Sequence, residues 1–154
     1  MPSSLLSLAA FLLLCIVGGA ASGLASPPGE WYASLAKPSW NPPNWIFGPV
    51  WTVLYAVIGV AGWRLWARRG TAAGTRALQA FAVQLALNFA WTPIFFGLQR
   101  PGLALAEIVA LLGAIAATIA LSWRTDRAAA ALLMPYMAWV SFAAALNAAI
   151  WRLN

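Results

Sequence analysis

Aromatic and amide side chains recur along one apolar stretch of this sequence at the spacing of a single helix face. Two amides and two rings follow the spacing i, i+4, i+7 and i+11: Gln84, Asn88, Trp91 and Phe95. A helix places these four positions on the same side. Because amides are costly against lipid, this side is expected to point toward other helices.

Two further stretches carry similar stripes. The earlier stretch repeats the same spacing with Trp51, Tyr55, Ile58 and Gly62. The last stretch follows i, i+3, i+7 and i+11 with Tyr136, Trp139, Ala143 and Asn147. For one stripe alone, ring packing and hydrogen bonding between helices are the simpler explanation. Three such stripes, capped by an aromatic loop, favour a ligand cavity.

Conventional catalytic groups are sparse. The sequence has no histidine and one cysteine, and its carboxylates lie on separate segments at Glu30, Glu107 and Asp126. This pattern predicts neither a metal cluster nor a nucleophile paired with a general base. We therefore expect no catalytic residue, no metal site and no required cofactor.

Glu107 lies inside an apolar stretch and has two interpretations. A carboxyl within a membrane is a functional candidate and could couple the protein to protons. Glu107 is also only one turn from the start of its stretch, so it could reach the interface or pair with Arg100. The sequence favours the second interpretation.

Composition defines the class of protein. The 154 residues are 63% hydrophobic and 8% charged, and the mean hydropathy is +0.80. These values are outside the range of soluble globular domains and predict an integral membrane protein. The net charge of +6 lies in short loops and no basic run is present, so a nucleic-acid partner is not expected.

Five apolar segments are long enough to cross a bilayer. They predict a single all-α domain over 1–154, a bundle with transmembrane helices at about 5–25, 45–66, 77–98, 103–123 and 128–151. A cleaved signal peptide is the alternative for the first segment, although no Lys or Arg precedes Leu5. The Lys and Arg residues divide six to three between the two sides, which favours a cytoplasmic N-terminus.

The segment 26–44 is predicted to be a structured aromatic loop without helix before Asn44. Its prolines remove backbone donors, and its rings need an apolar surface to cover them. We interpret it as a lid over the end of the bundle, formed by Trp31, Lys37, Pro38, Trp40, Pro42 and Pro43.

Small residues form a separate row on the third segment. Ala82, Ala86 and Ala90 lie some 160° from the Gln84 and Asn88 side, by the geometry of an α-helix. Small residues at this spacing allow close helix approach. The row predicts the interface of a homodimer.

Four motifs together resemble one known family. WYASLAKPSWNPP, FGPVWTVLY, QLALNFAWTPIFFG and PYMAWVSFAAALNAAIWRLN are similar, in order, to the signatures of the translocator protein family, also called tryptophan-rich sensory proteins or peripheral-type benzodiazepine receptors (TspO/MBR). The resemblance implies five helices, usually a homodimer, and a cavity under the first loop that binds porphyrins, sterols and aromatic drugs. It also implies a role as a transporter or sensor of tetrapyrroles, and some bacterial members promote light-dependent porphyrin breakdown.

The resemblance also assigns site residues. By motif position, the cavity involves Tyr32, Trp51, Tyr55, Asn88, Trp91, Phe95, Trp139, Ala143 and Asn147. Because histidine is absent, a metal-free porphyrin such as protoporphyrin IX is the expected ligand. The sterol pattern of animal members has a tyrosine where this chain has Ala148, which argues against sterol binding there. Binding, transport or sensing, and light-dependent degradation of the porphyrin, remain open as functions.

Overall fold

A computed structural model describes residues 4–154, and its regular structure is helical. The helices are α1 (Leu5–Ala25), α2 (Glu30–Ser34), α3 (Phe47–Ala67), α4 (Ala72–Thr92), α5 (Pro101–Trp123) and α6 (Arg127–Leu153). A 3₁₀ turn at Asn44–Ile46 leads into α3, and a π-helical turn at Pro93–Gly97 extends α4. Over these residues, five helices are long and apolar enough to cross a membrane. The protein is a multi-pass integral membrane protein, as predicted.

Helix α4 begins at Ala72, five residues before the predicted span 77–98. The Thr71 hydroxyl accepts a hydrogen bond from the Gly74 N–H at 3.0 Å and so caps the helix. Gly74 also packs directly against the backbone carbonyl of Arg68, where a side chain would collide. The glycine therefore allows the start of α4 to pack closely on the end of α3, and it does not interrupt the helix.

The other end of α4 is reshaped by Pro93. Proline has no N–H to continue the α-helical pattern, and the Leu98 N–H donates to the Pro93 carbonyl at 2.9 Å across a wider turn. Gln99 then adopts a φ of 56°, and α5 begins at Pro101. The wide turn carries Phe95 and Phe96 just before this reversal.

The loop contains a helix that the sequence analysis did not predict. Helix α2 forms one turn between Pro28 and Pro38, because no proline lies within Glu30–Ser34 to remove a backbone donor. The expectation that 26–44 is non-helical before Asn44 is therefore wrong for Glu30–Ser34. Beyond Leu35 the chain remains irregular until the 3₁₀ turn.

The spanning helices form a closed ring of neighbours. Helix α1 packs on α3 and α4, α3 packs on α6, and α5 lies between α4 and α6. Within α1 only Cys15 is fully buried, so this helix is the most peripheral. Helix α6 is continuous through Pro135.

An ion cluster joins α3 to the start of α6. Arg64 contacts Asp126 through Nε at 2.9 Å and Nη2 at 3.1 Å, and Arg68 Nε lies 3.5 Å from the same carboxylate. Asp126 also caps α6 by accepting from the Ala129 N–H at 3.0 Å. Burial raises the pKa of Asp126, but the hydrogen bonds from Ala129 and Arg64 and the two arginine charges outweigh it. The pKa of this carboxyl therefore lies below its ordinary value.

Two substitutions separate the charge of Asp126 from its capping role. Asp126→Asn keeps a capping oxygen and removes the ion pairs, so it is expected to lower the free energy of unfolding by about 1 kcal/mol. Asp126→Ala removes both contributions and should lower it by about 1 kcal/mol more. Thermal unfolding followed by circular dichroism in detergent measures both losses.

The contribution of Asp126 has a defined pH dependence. A lowered pKa in the folded state stabilises the protein above the ordinary Asp pKa of about 3.9, and this stabilisation disappears as pH falls through the lowered value. The difference between wild type and Asp126→Asn should therefore be present at neutral pH and shrink in acid. A difference independent of pH would contradict the ion-pair explanation.

Candidate ligand-binding site

Asn88 is the centre of a buried hydrogen-bond chain between three helices. The Tyr55 hydroxyl of α3 donates to Asn88 Oδ1 at 2.7 Å. Asn88 Nδ2 donates to the Tyr136 hydroxyl of α6 at 3.0 Å, and that hydroxyl donates to Gln84 Oε1 at 2.9 Å. Buried polar groups in lipid require internal partners. The amide stripe of α4 therefore acts first as a connection between α3, α4 and α6.

Asn147 forms a second polar connection, closer to the loop. Its Oδ1 accepts from the indole N–H of Trp91 at 3.2 Å, and its Nδ2 donates to the Pro101 carbonyl at 2.8 Å. Asn147 is buried. One side chain thus joins α6 to both α4 and the first turn of α5.

Two pairs of stacked rings lie beside these hydrogen bonds. Trp51 stacks on Tyr55 with ring centroids 5.2 Å apart and planes inclined by 30°. Trp91 stacks on Phe95 at 4.9 Å and 23°. Trp91 packs against both hydrophobic clusters of the protein, the larger one in the bundle and the smaller one under the loop. The two stacked pairs therefore belong to one continuous aromatic region.

The loop covers the end of this region with its own rings. Tyr32 is buried and meets Phe95 and Phe96 edge-on at 6.2 and 5.2 Å. Trp31 contacts Phe95 at 5.8 Å, and Trp40 contacts Phe142 of α6 at 5.8 Å. The loop is therefore packed on the ends of α4 and α6.

Lys37 lies on the outer side of this contact. Its Nζ is 4.5 Å from the centroid of the Tyr32 ring and donates to the Leu35 carbonyl at 3.0 Å. Pro38 and Pro42 are half-buried, whereas Pro43 is exposed. The lysine holds the local shape of the loop and stays near the surface.

The remaining predicted residues lie on α6. Trp139 packs against Phe47 at 6.0 Å and Phe142 at 5.5 Å, so it connects α6 to the first turn of α3. Ala143 is half-buried and packs on the larger cluster. The nine predicted residues thus divide between the bundle centre and the region under the loop, and Trp91 and α6 join the two.

The assignment by motif omitted several residues that complete the region. Tyr136 and Gln84 were recognised as members of stripes but not assigned to the site, although both belong to the Asn88 chain. Phe47, Phe96 and Phe142 were not recognised. Phe96 is brought in by the π-helical turn at Pro93 and the packing of α2 on it, whereas Phe47 and Phe142 enter through their contacts with Trp139.

The rings of this region pack directly against one another. Two grooves of about 460 and 470 Å³ lie on the outside of the bundle, and neither is lined by any of the nine predicted residues. The rings under the loop instead contact one another at centroid distances near 5–6 Å. A ligand that binds between these rings therefore has to separate them and displace the loop packed on them.

Two donors in this region have no hydrogen-bond partner in the part of the chain that the structure describes. They are Trp139 Nε1 and Gln84 Nε2, and both atoms are buried. A buried donor without a partner is unfavourable by about 1–3 kcal/mol. A ligand with acceptor atoms would satisfy such donors.

Glu107 does not behave as predicted. Both of its carboxylate oxygens are buried and have no hydrogen-bond partner within residues 4–154, so the side chain does not pair with Arg100. The position on α5 is responsible, because Glu107 lies one turn after the buried Ala104 and one turn before the buried Leu111, beside the inner side of the helix.

Fold and site together define a multi-pass helical membrane protein whose centre is lined by aromatic rings and amides and capped by a folded loop. The chain belongs to the TspO/MBR family, whose sequence pattern matches residues 11–152. This confirms the resemblance noted in the sequence.

Similar proteins include both animal and bacterial members. The chain is 44% identical to the translocator protein of Homo sapiens over 127 residues, covering 81% of this chain and 75% of that protein. It is 41% identical to the tryptophan-rich protein TspO of Chlorobaculum tepidum over 160 residues, covering 100% and 99%. It is 40% identical to protein CrtK of Rhodobacter capsulatus over 155 residues, covering 98% and 94%.

A pair of glycine substitutions in α1 tests the packing of the site. Gly19 packs directly on the Tyr55 ring, where an added Cβ would collide, whereas Gly23 has nothing within 4 Å of such an atom. Gly19→Ala is expected to displace Tyr55, weaken its hydrogen bond to Asn88 and lower the free energy of unfolding by about 1–3 kcal/mol. Gly23→Ala should be neutral or slightly stabilising, because alanine favours helix. Thermal unfolding in detergent measures both, and equal midpoints for the two variants would exclude the proposed packing role.

Proposed function

We propose that this protein binds porphyrins such as protoporphyrin IX, and related hydrophobic aromatic compounds, between the helices under the first loop. Its role would be in sensing, transport or regulation of tetrapyrroles. The observation that carries this proposal is the continuous aromatic region under the loop, with its two buried donors that have no partner within residues 4–154. Membership of a family whose proteins are named translocator and tryptophan-rich sensory proteins supports it.

The chemistry of the region suits a flat tetrapyrrole. The Trp51–Tyr55 and Trp91–Phe95 pairs already stack, so a planar ligand that separates them replaces ring–ring contacts with ring–ligand contacts of the same kind. Trp139 Nε1 and Gln84 Nε2 offer hydrogen bonds to acceptors on the ligand. These contacts do not require an axial ligand, in keeping with a metal-free porphyrin.

Propionate groups would remain near the surface. Lys37 is the loop's cation, and its amine presently donates to the Leu35 carbonyl. A charge-assisted hydrogen bond to a carboxylate is stronger than one to a neutral carbonyl. A porphyrin oriented with its propionates toward Lys37 would place its apolar rings against the helices.

Tryptophan substitutions test the site directly. Trp51→Ala and Trp139→Ala should each weaken protoporphyrin IX binding by about 1–3 kcal/mol, the loss typical of removing a ring that stacks on a flat ligand. Trp123→Ala is the matched control, since Trp123 lies exposed at the end of α5, outside the site. Titration with porphyrin, followed by the shift of its absorbance band, gives the three affinities.

The outcome is decided by the contrast between variants. Weaker porphyrin binding by Trp51→Ala and Trp139→Ala than by the control Trp123→Ala would support the proposal. Wild-type porphyrin affinity in both Trp51→Ala and Trp139→Ala would show that these rings contribute to packing and not to ligand binding.

Light-dependent degradation of the porphyrin is the alternative function. It is favoured by the number of indoles in the region, since Trp31, Trp51, Trp91 and Trp139 all lie there. Illumination of the complex distinguishes the two functions. Loss of porphyrin absorbance beyond one equivalent per protein indicates an enzyme, whereas a stable spectrum indicates a binding protein.

We also propose a homodimer formed through α4. Ala82 and Ala86 are exposed on its outer side, and Ala90 is half-buried. Ala82 and Ala86 line the groove of about 460 Å³ with Phe11 and Leu14 of α1. An apolar groove floored by small residues allows a second α4 to approach closely.

Replacing one alanine of this row should weaken the dimer. Ala86→Leu is expected to shift the detergent-solubilised protein toward monomer, because the larger side chain prevents close helix approach. Ala110→Leu, an exposed alanine on α5, is the control for a general effect of added volume. Light scattering coupled to gel filtration measures the mass of the complex. An unchanged dimer in Ala86→Leu would show that this side of α4 does not form the interface.

A further inference from the structure

The side-chain amide of Asn154 makes two hydrogen bonds to the backbone of one loop residue, Ala36. The Ala36 N–H donates to Asn154 Oδ1 at 2.9 Å, and Asn154 Nδ2 donates to the Ala36 carbonyl at 3.0 Å. Nδ2 also donates to the Ile150 carbonyl at 2.8 Å, which fixes the side chain on the end of α6. The amide thus pairs with the loop as the peptide group of a neighbouring strand would.

This contact is the polar attachment of the loop to the bundle. Within residues 4–154, the hydrogen bonds that join the segment 31–42 to a spanning helix are the two made by Asn154. The other attachments are apolar, with Tyr32 against Phe95 and Phe96, and Trp40 against Phe142. Asn154 holds the middle of the loop between these aromatic contacts.

The position of Asn154 connects this attachment to the candidate site. Asn154 follows Asn147 by seven residues, which is two turns along the same side of a helix. Asn147 holds Trp91 and the start of α5. The same end of α6 therefore fixes both the rings under the loop and the loop above them.

We infer that Asn154 is a positioning residue that keeps the loop closed over the site and limits the rate at which ligand enters. This inference rests on the proposed function for the identity of the ligand. The loop's rings pack directly on those of the site, so a ligand that binds between them has to displace the loop. The Ala36–Asn154 hydrogen bonds are exposed to solvent, and water replaces such bonds at little net loss. They restrain the loop while allowing it to open.

Hydrogen exchange of the ligand-free protein tests the restraint. Asn154→Ala should increase exchange of the amides in 33–41 about tenfold, the order expected when two solvent-exposed hydrogen bonds are lost. Asn154→Asp keeps the acceptor for the Ala36 N–H but loses both donors, so its increase should be smaller. Asn44→Ala is the control, since Asn44 is an exposed asparagine of the same loop. An unchanged thermal midpoint shows that each variant is folded.

Binding kinetics test the consequence for the ligand. Stopped-flow mixing with protoporphyrin IX, followed by tryptophan quenching, should give a severalfold higher association rate for Asn154→Ala than for wild type and Asn44→Ala. If amide exchange in 33–41 is the same in Asn154→Ala as in wild type, Asn154 does not restrain the loop. If the association rate is the same, Asn154 does not limit the entry of the ligand. Failure of the wild type to bind porphyrin would overturn the proposed function instead, and the exchange result would still decide whether Asn154 holds the loop.

Discussion

The bundle depends on the pairing of polar side chains in a region where water does not compete. Asn88 accepts from Tyr55 and donates to Tyr136, so one amide on α4 fixes its position relative to α3 and α6. In lipid, apolar contacts between helices give little specificity, because the lipid tails are equally apolar. A polar chain with defined donors and acceptors selects one arrangement of the three helices. The stacked rings of Trp51 and Tyr55 then follow from that arrangement.

This constraint makes the same residues serve stability and a candidate site. Tyr55 is held by Asn88 on one side and limited by Gly19 of α1 on the other. Such a region can be remodelled by a ligand only if the ligand replaces the contacts it disrupts. An aromatic ligand with peripheral acceptors can replace the contacts between flat rings and can pair with the N–H of Trp139, which has no partner within residues 4–154. Tight self-packing without ligand is therefore compatible with the proposed binding.

Pro38 divides the loop into a helical part and an irregular part. Before Pro38, the chain forms the short helix α2 and buries Tyr32. After it, the prolines keep the chain irregular and rigid, which lowers the entropy lost when the loop closes. Asn154 contacts the loop between these parts, at Ala36.

The amino-acid sequence by itself determined the class of protein, the number of spanning helices and the side of each helix that carries rings and amides, because hydropathy and helical periodicity are local properties. It also determined family membership through motifs of unusual composition. Tertiary structure alone decided that Tyr136 joins the Asn88 chain, that Glu107 has no partner within residues 4–154, and that α2 and the π-helical turn at Pro93 bring Tyr32 onto Phe95 and Phe96. These features depend on contacts between residues distant in sequence, for which no local pattern exists. Asn154 and Ala36, 118 residues apart, are the extreme case.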